Sequence, residues 1–241
     1  MDREEGFVLR RVNYGDTGVV VTIFTLDQGV QTFVVHGVRR KKAKIKLNCF
    51  QPFTQVEVLY RKKENTDLYR LNGLEVIEPY QSIHYDFVKS AQVLFLAEVL
   101  TKSLERDDPH PDLYRWMKTE LKRFDAAQKY FAEFHLYALW QWTKFLGLEP
   151  EITEKPYFHL VNAQCTSGLS ESRYLLDIQQ TKWLKHFLSS PALSAGKSGL
   201  SKSMRKSLTN SAIEYHRLHL DNLTNLKSYE VLIEVMDEMS D

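Results

Sequence analysis

Cysteine is nearly absent from this chain of 241 residues: there are two, Cys49 and Cys165, 116 positions apart. Such a pair supplies neither a disulfide framework nor a four-cysteine zinc site, and it fits a reducing compartment. Net charge is almost absent as well. Lys and Arg number 32 against 31 Asp and Glu, leaving +1, so the total says nothing about partners. Long apolar runs are missing too. Val93–Leu100 is the longest nearly apolar stretch, and it is short and contains Glu98, which excludes a bilayer span. Met1-Asp2-Arg3-Glu4-Glu5 carries no apolar h-region, so no secretory signal is expected and the expected setting is cytoplasmic.

Catalytic signatures are equally scarce. No His-Glu-x-x-His run and no Gly-x-Ser-x-Gly elbow occurs, and neither cysteine sits in a motif that lowers its pKa. Gly196-Lys197-Ser198 suggests a phosphate loop, but the glycine needed five residues earlier is Pro191, which has no amide hydrogen to offer a phosphate. His216 and His219 stand three apart on an expected helix with no converging third ligand, and they read as packing histidines. Asp107-Asp108 precede Pro109 and read as a helix terminus. No catalytic residue, cofactor or metal is expected.

What is present is an ordinary globular balance, 43% hydrophobic and 26% charged, enough for one large or two small domains. Five runs rich in Val, Ile, Phe, Thr and Tyr read as strands: Phe7–Asn13, Gly18–Leu26, Val30–Gly37, Phe53–Arg61 and Asp67–Ile77. Five short antiparallel strands in about eighty residues suggest a small closed barrel, because closure removes exposed edges. An SH3-like barrel or a split sandwich fits almost as well. After Pro79 the period becomes helical. Expected helices are Phe87–Glu105, Pro111–Phe124, Lys129–Leu146, Thr181–Leu188, Lys202–Leu220 and Ser228–Met239, the third closed by Gly147 and Pro150. A non-helical excursion interrupts them at about 152–178. The reading is α+β: residues 1–80 a β-barrel, residues 81–241 mainly helical.

Charge is unevenly placed within this neutral chain. Between His36 and Lys63 nine basic residues face one acid, Glu57, giving +8 there and −7 over the rest. The nine are Arg39, Arg40, Lys41, Lys42, Lys44, Lys46, Arg61, Lys62 and Lys63. Cations beside a phosphate chain release condensed counterions, a source of affinity independent of sequence. Arg10 and Arg11 extend the set. If the barrel is an OB-fold, Lys62–Thr66 joins strands four and five, beside the usual oligonucleotide face on strands two and three. Tyr14, Phe24 and Phe33 are candidate stacking surfaces, although Phe24 and Phe33 read better as core. A second basic group, Lys197, Lys202, Arg205 and Lys206, reads as a loop, a phosphate contact or a dock for an acidic peptide.

Gly6-Phe7-Val8-Leu9-Arg10, Tyr14-Gly15-Asp16, Phe24-Thr25, Gly29, Gly37-Val38-Arg39-Arg40 and Gln51-Pro52-Phe53 follow one another along the first part of the chain. Leu96-Ala97-Glu98-Val99-Leu100, Phe145-Leu146-Gly147-Leu148-Glu149-Pro150, and Leu226-Lys227-Ser228 with Val231–Val235 continue the pattern. In this order and spacing the motifs resemble the RecO family of bacterial recombination mediators. The resemblance implies an N-terminal OB-fold, a helical C-terminal domain and no enzyme activity. It further implies binding of single- and double-stranded DNA, strand annealing, and contact with the tail of single-strand-binding protein. With RecR, such proteins load RecA onto coated strands. Arg39 and Arg40 match the family's Gly-x-Arg-Arg element; Lys41, Lys42, Lys44 and Lys46 rest on charge. Many members carry a four-cysteine zinc element, but around His159–Gly168 only Cys165 remains, so no structural zinc is expected. Lys202, Arg205 and Lys206 are the charge-based candidates for the acidic tail.

The expected function is therefore that of a DNA-repair mediator, nucleoid-associated when engaged. The alternative is a non-catalytic scaffold whose basic loop contacts acidic proteins. An enzyme using Asp107, Asp108 and His110 is the third and weakest reading.

Overall fold

The computed structural model describes residues 1–62, 66–128, 132–168, 171–191 and 200–238. The chain forms two compact units, Met1–Asp125 and Ala126–Asp241, and the change of period near residue 80 falls inside the first.

In the first unit β1 (Asp2–Tyr14), β2 (Gly18–Thr25), β3 (Gly29–Val35), β4 (Gln55–Tyr60) and β5 (Tyr69–Val76) close into a barrel of order β1-β2-β3-β5-β4. Neighbours are antiparallel except β3 and β5, whose parallel contact at Phe33–Tyr69 and Val34–Arg70 completes the ring. This is the five-stranded OB-like barrel, and the helices that follow it make the protein α+β. Val8, Val21, Ile23, Phe33, Val56 and Val58 fill its interior.

β1 begins before its apolar pattern does. Asp2–Glu5 pair through their backbones with Tyr60–Glu57 of β4 while their side chains stay at least partly in solvent. Pairing sets that boundary, where intrinsic preference would not. The register shifts between Val8 and Arg10, a bulge that bends the strand and changes which side chains face outward. Phe7 and Phe24 lie outside the interior cluster. They meet the Tyr114 ring of α2 (Pro111–Ala126) at centroid distances of 4.8 and 5.9 Å, which is why both faces of β1 look apolar near residue 7.

Helix α1 (Phe87–Ser103) starts at Asp86, whose side chain accepts from the Lys89 backbone, and it is buried on most sides. The Asp125 carboxylate at the end of α2 accepts backbone N–H bonds from Gln81, Ser82 and Ile83 at 2.8, 2.8 and 2.9 Å. Burial, the largest influence on that carboxyl, acts to raise its pKa, and the backbone donors outweigh it and hold it below the ordinary value. The segment leaving the barrel is thereby strapped to α2.

The second unit holds α3 (Phe134–Trp142), α4 (Ile178–Ser189), α5 (Lys202–His219) and α6 (Lys227–Glu238). Every residue of α3 is buried, and the chain turns away through Gly147 at φ 70°, a conformation glycine adopts without Cβ strain. The excursion carries β6 (Tyr157–His159), β7 (Gln164–Thr166) and β8 (Leu175–Leu176) in the order β7-β6-β8. His219 Nε2 lies 2.9 Å from the Leu160 carbonyl and its ring 4.5 Å from that of Tyr215, so it packs as expected. Among the described residues no helix is long and apolar enough to cross a membrane.

Candidate nucleic-acid interface

The basic loop between β3 and a 3-10 turn at Leu47–Phe50 is shaped by its own backbone. Arg40 N–H donates to the Gly37 carbonyl and Ala43 N–H to that of Arg40, two successive turns. Arg39 N–H donates to the Thr17 carbonyl in the β1–β2 turn, and the Arg11 guanidinium donates to the Leu47 carbonyl at 2.9 Å. Val38 and Phe50 are buried in the barrel core, and Ile45 and Leu47 pack against it. The apolar residues thus hold the loop down while Arg39, Arg40, Lys41, Lys42, Lys44 and Lys46 are all exposed. Among the described residues none of these six, nor Arg10 or Arg11, forms an ion pair. Their field is uncompensated at close range, the arrangement that concentrates polyanions.

Arg61 and Lys62 do not join them. Lys62 N–H donates to Asp2 Oδ2 and its ammonium to Gln28 Oε1, both at 2.9 Å. Asp2 starts β1 and Gln28 lies in the β2–β3 turn, so this pair sits at the opposite end of the barrel from Arg39–Lys46. Arg11 stands nine positions after Asp2 on β1, about 30 Å along the strand. The expected grouping of the loop with a nearby turn is corrected accordingly: closeness in sequence is undone because β4 returns antiparallel along the first half of β1. Lys63 lies outside the described residues.

Phe24 and Phe33 are fully buried and are core, whereas Tyr14 is 51% exposed. The Tyr14 and His36 rings lie 6.5 Å apart at the end of the barrel that carries the basic loop.

The second basic group is not a free patch. Arg205 donates from Nε and Nη2 to Glu133 Oε1 at 3.2 and 2.9 Å, and Lys202 pairs with Asp237 at 3.1 Å. Lys206 is exposed and in no ion pair among the described residues, and Lys197, with Gly196 and Ser198, lies outside them. Asp107 accepts from Gln31 at 2.8 Å, and Asp108 lies 3.2 Å from His110 Nε2. Asp107 is thus tied to the β3 strand and His110 to its neighbour two residues away.

Cys165 is buried opposite Phe158 in the β6–β7 ladder, and strand alternation turns the neighbouring His159 to the other face. Among the described residues no three His, Cys, Asp or Glu side chains converge as a metal site, against the four ligands a structural zinc requires.

Sequence comparison bears on the same barrel and helices. Residues 1–80 match the family described as Recombination protein O N terminal, and residues 84–156 match Recombination protein O C terminal. A DNA repair protein RecO from Bacteroides fragilis is 31% identical over 242 aligned residues, covering 98% of this chain and all of that one. This chain belongs to the RecO family. Its RecO relatives include the DNA repair proteins of Flavobacterium psychrophilum, 29% identical over 97% of this chain and 98% of the relative, and Christiangramia forsetii, 27% over 96% and 97%. RecO membership makes it a DNA repair protein with a general role in recombination. Sequence reasoning missed the Tyr14–His36 pairing, for which the turn at Tyr14-Gly15-Asp16 was the available signal. It also missed the engagement of Arg205 by Glu133, which no spacing reveals across 72 positions.

Proposed function

We propose that this RecO-family chain is a non-catalytic mediator that binds single- and double-stranded DNA without sequence preference and promotes strand annealing. With RecR it loads RecA onto strands coated by single-strand-binding protein, in the cytoplasm. The observation that carries the reading is the exposed set Arg39, Arg40, Lys41, Lys42, Lys44 and Lys46 beside Arg10 and Arg11, none of them in an ion pair among the described residues. Phosphate-directed cations position a strand yet leave its base edges free to pair. They also offset the repulsion between two polyanions, so annealing needs no bond chemistry.

Affinity for an oligonucleotide measured against salt tests this. Each phosphate contact adds about 0.7 to the log–log slope for single strands and about 0.9 for duplex, so a slope of several units is expected. Replacing Arg39, Arg40, Lys41 and Lys42 by Ala should weaken all sequences alike and flatten the slope by about 3. An unchanged slope would move the site elsewhere, and no DNA affinity in the unaltered protein would favour a scaffold for acidic proteins.

The acidic tail of single-strand-binding protein is proposed to dock on the helical unit around Lys206. A notch lined by Leu232, Ile233 and Met236 adjoins it, an apolar floor beside a cation. Lys202 is recruited by exchange, because its surface pair with Asp237 is worth at most about 1 kcal/mol. Within this reading no zinc is needed, and packing of Phe158, Leu160 and Cys165 holds the excursion.

A further inference from the structure

The outer face of β1, β2 and β3 is ordered in three rows. After the bulge, Arg10 pairs with Thr22 and Thr22 with Thr32; Val12 pairs with Val20 and Val20 with Val34. In the last row Tyr14 pairs with Gly18, and His36 follows Val35 at the end of β3. Residues two apart on a strand share a face, so Arg10, Val12 and Tyr14 line up along one edge. Val12 is 45% and Tyr14 51% exposed, and Val20, Thr22, Thr32 and Val34 are partly exposed.

Gly18 is required at the centre of the last row. A Cβ there would stand 2.9 Å from the Tyr14 carbonyl oxygen, 3.0 Å from that of Val35 and 3.7 Å from His36 Nδ1. The two rings, tilted by 58°, therefore flank a position with no side chain. An apolar strip of three valines leads up to it. Cations bound the strip at both ends, Arg10 in the first row and Arg39 beyond the last, fixed there by its backbone bond to Thr17.

We propose that this face stacks an unpaired nucleobase on the Tyr14 ring, with its flanking phosphates toward Arg10 and Arg39, and so distinguishes single strands from duplex. The inference rests on the DNA-binding reading and adds strand selectivity to it. A flat heterocycle with a charged group on either side matches an apolar floor and aromatic ring between two cations. In a duplex each base already spends its faces on its neighbours, so only a single strand offers Tyr14 a free π-face.

The test uses the full-length protein, an oligothymidylate carrying one 2-aminopurine, and a mixed-sequence duplex. Binding of the single strand should quench the 2-aminopurine, and Tyr14→Ala should abolish the quench and weaken single-strand affinity about tenfold. Duplex affinity and the salt slope should stay as they were, and Tyr14→Phe should restore both quench and affinity. Unchanged single-strand binding by Tyr14→Ala would overturn the proposal alone, leaving the phosphate reading in place. Equal losses for both nucleic acids, or a change of oligomeric state by light scattering, would overturn it in favour of a general structural role or a protein contact. Absence of binding by the unaltered protein to either nucleic acid would remove the parent reading itself.

Discussion

Arg205 separates an internal strut from a partner contact. Its guanidinium is 16% exposed and the Glu133 side chain only 7%. Replacing Arg205 by Ala leaves the Glu133 carboxylate buried without its cation. Breaking such a pair from one side costs about 3–5 kcal/mol, and the residual exposure of the arginine points to the lower figure. For a chain of this size that is about 6–12 °C of melting temperature. Lys206→Ala, at an exposed position with no ion pair among the described residues, should stay within about 0.5 kcal/mol yet weaken binding of an acidic peptide that copies the tail of single-strand-binding protein. Arg205→Met combined with Glu133→Gln should recover most of the loss, because the uncompensated charge is gone. Calorimetry of the three variants, with peptide titration in parallel, reads all of this. An Arg205→Ala protein that melts within a degree of the parent while losing the peptide would refute the reasoning and return Arg205 to the docking surface.

Two further outcomes follow from the second unit. Burial, the largest influence on both, lowers His135 to about 3 and His216 to about 4, so each is neutral in the fold and takes up a proton on unfolding below its ordinary value near 6.5. The stability they contribute is full above that value and falls as pH drops toward 4, by up to about 1.4 kcal/mol per pH unit for each ring. His216→Asn should make urea-unfolding stability between pH 6.5 and 4.5 less steep; an identical slope in both proteins would contradict this. Metal analysis before and after chelation should find less than one zinc per chain with no change in melting, and a stoichiometric zinc lost together with stability would overturn packing as the support of the excursion.

The strands were legible because they are rich in β-forming residues and separated by turn residues, and the helices because their apolar spacing and closing signals, such as Gly147 before Pro150, are local; closure into a barrel through the β3–β5 contact was decided by the fold. The boundary at Asp2 was not legible, since those charged residues become strand only by pairing with β4. The loop Arg39–Lys46 could be recognised as a cationic segment from composition alone, and its burial pattern follows from Val38 before the cations, Ile45 between Lys44 and Lys46, and Leu47 and Phe50 after them.

By itself, the order of residues determined the strands, the helices that follow them and the local gathering of positive charge, because each depends on neighbours a few positions apart, and the order of motifs along the whole chain carried the family. Only the tertiary structure decided which charges act together. The antiparallel return of β4 carries Arg61 and Lys62 to the far end of the barrel, the packing of α5 consumes Arg205 on Glu133, and the outer rows of β1, β2 and β3 bring Tyr14 to His36. Electrostatic and stacking forces act through distance in space, and strand pairing rewrites that distance without leaving a trace in spacing along the chain.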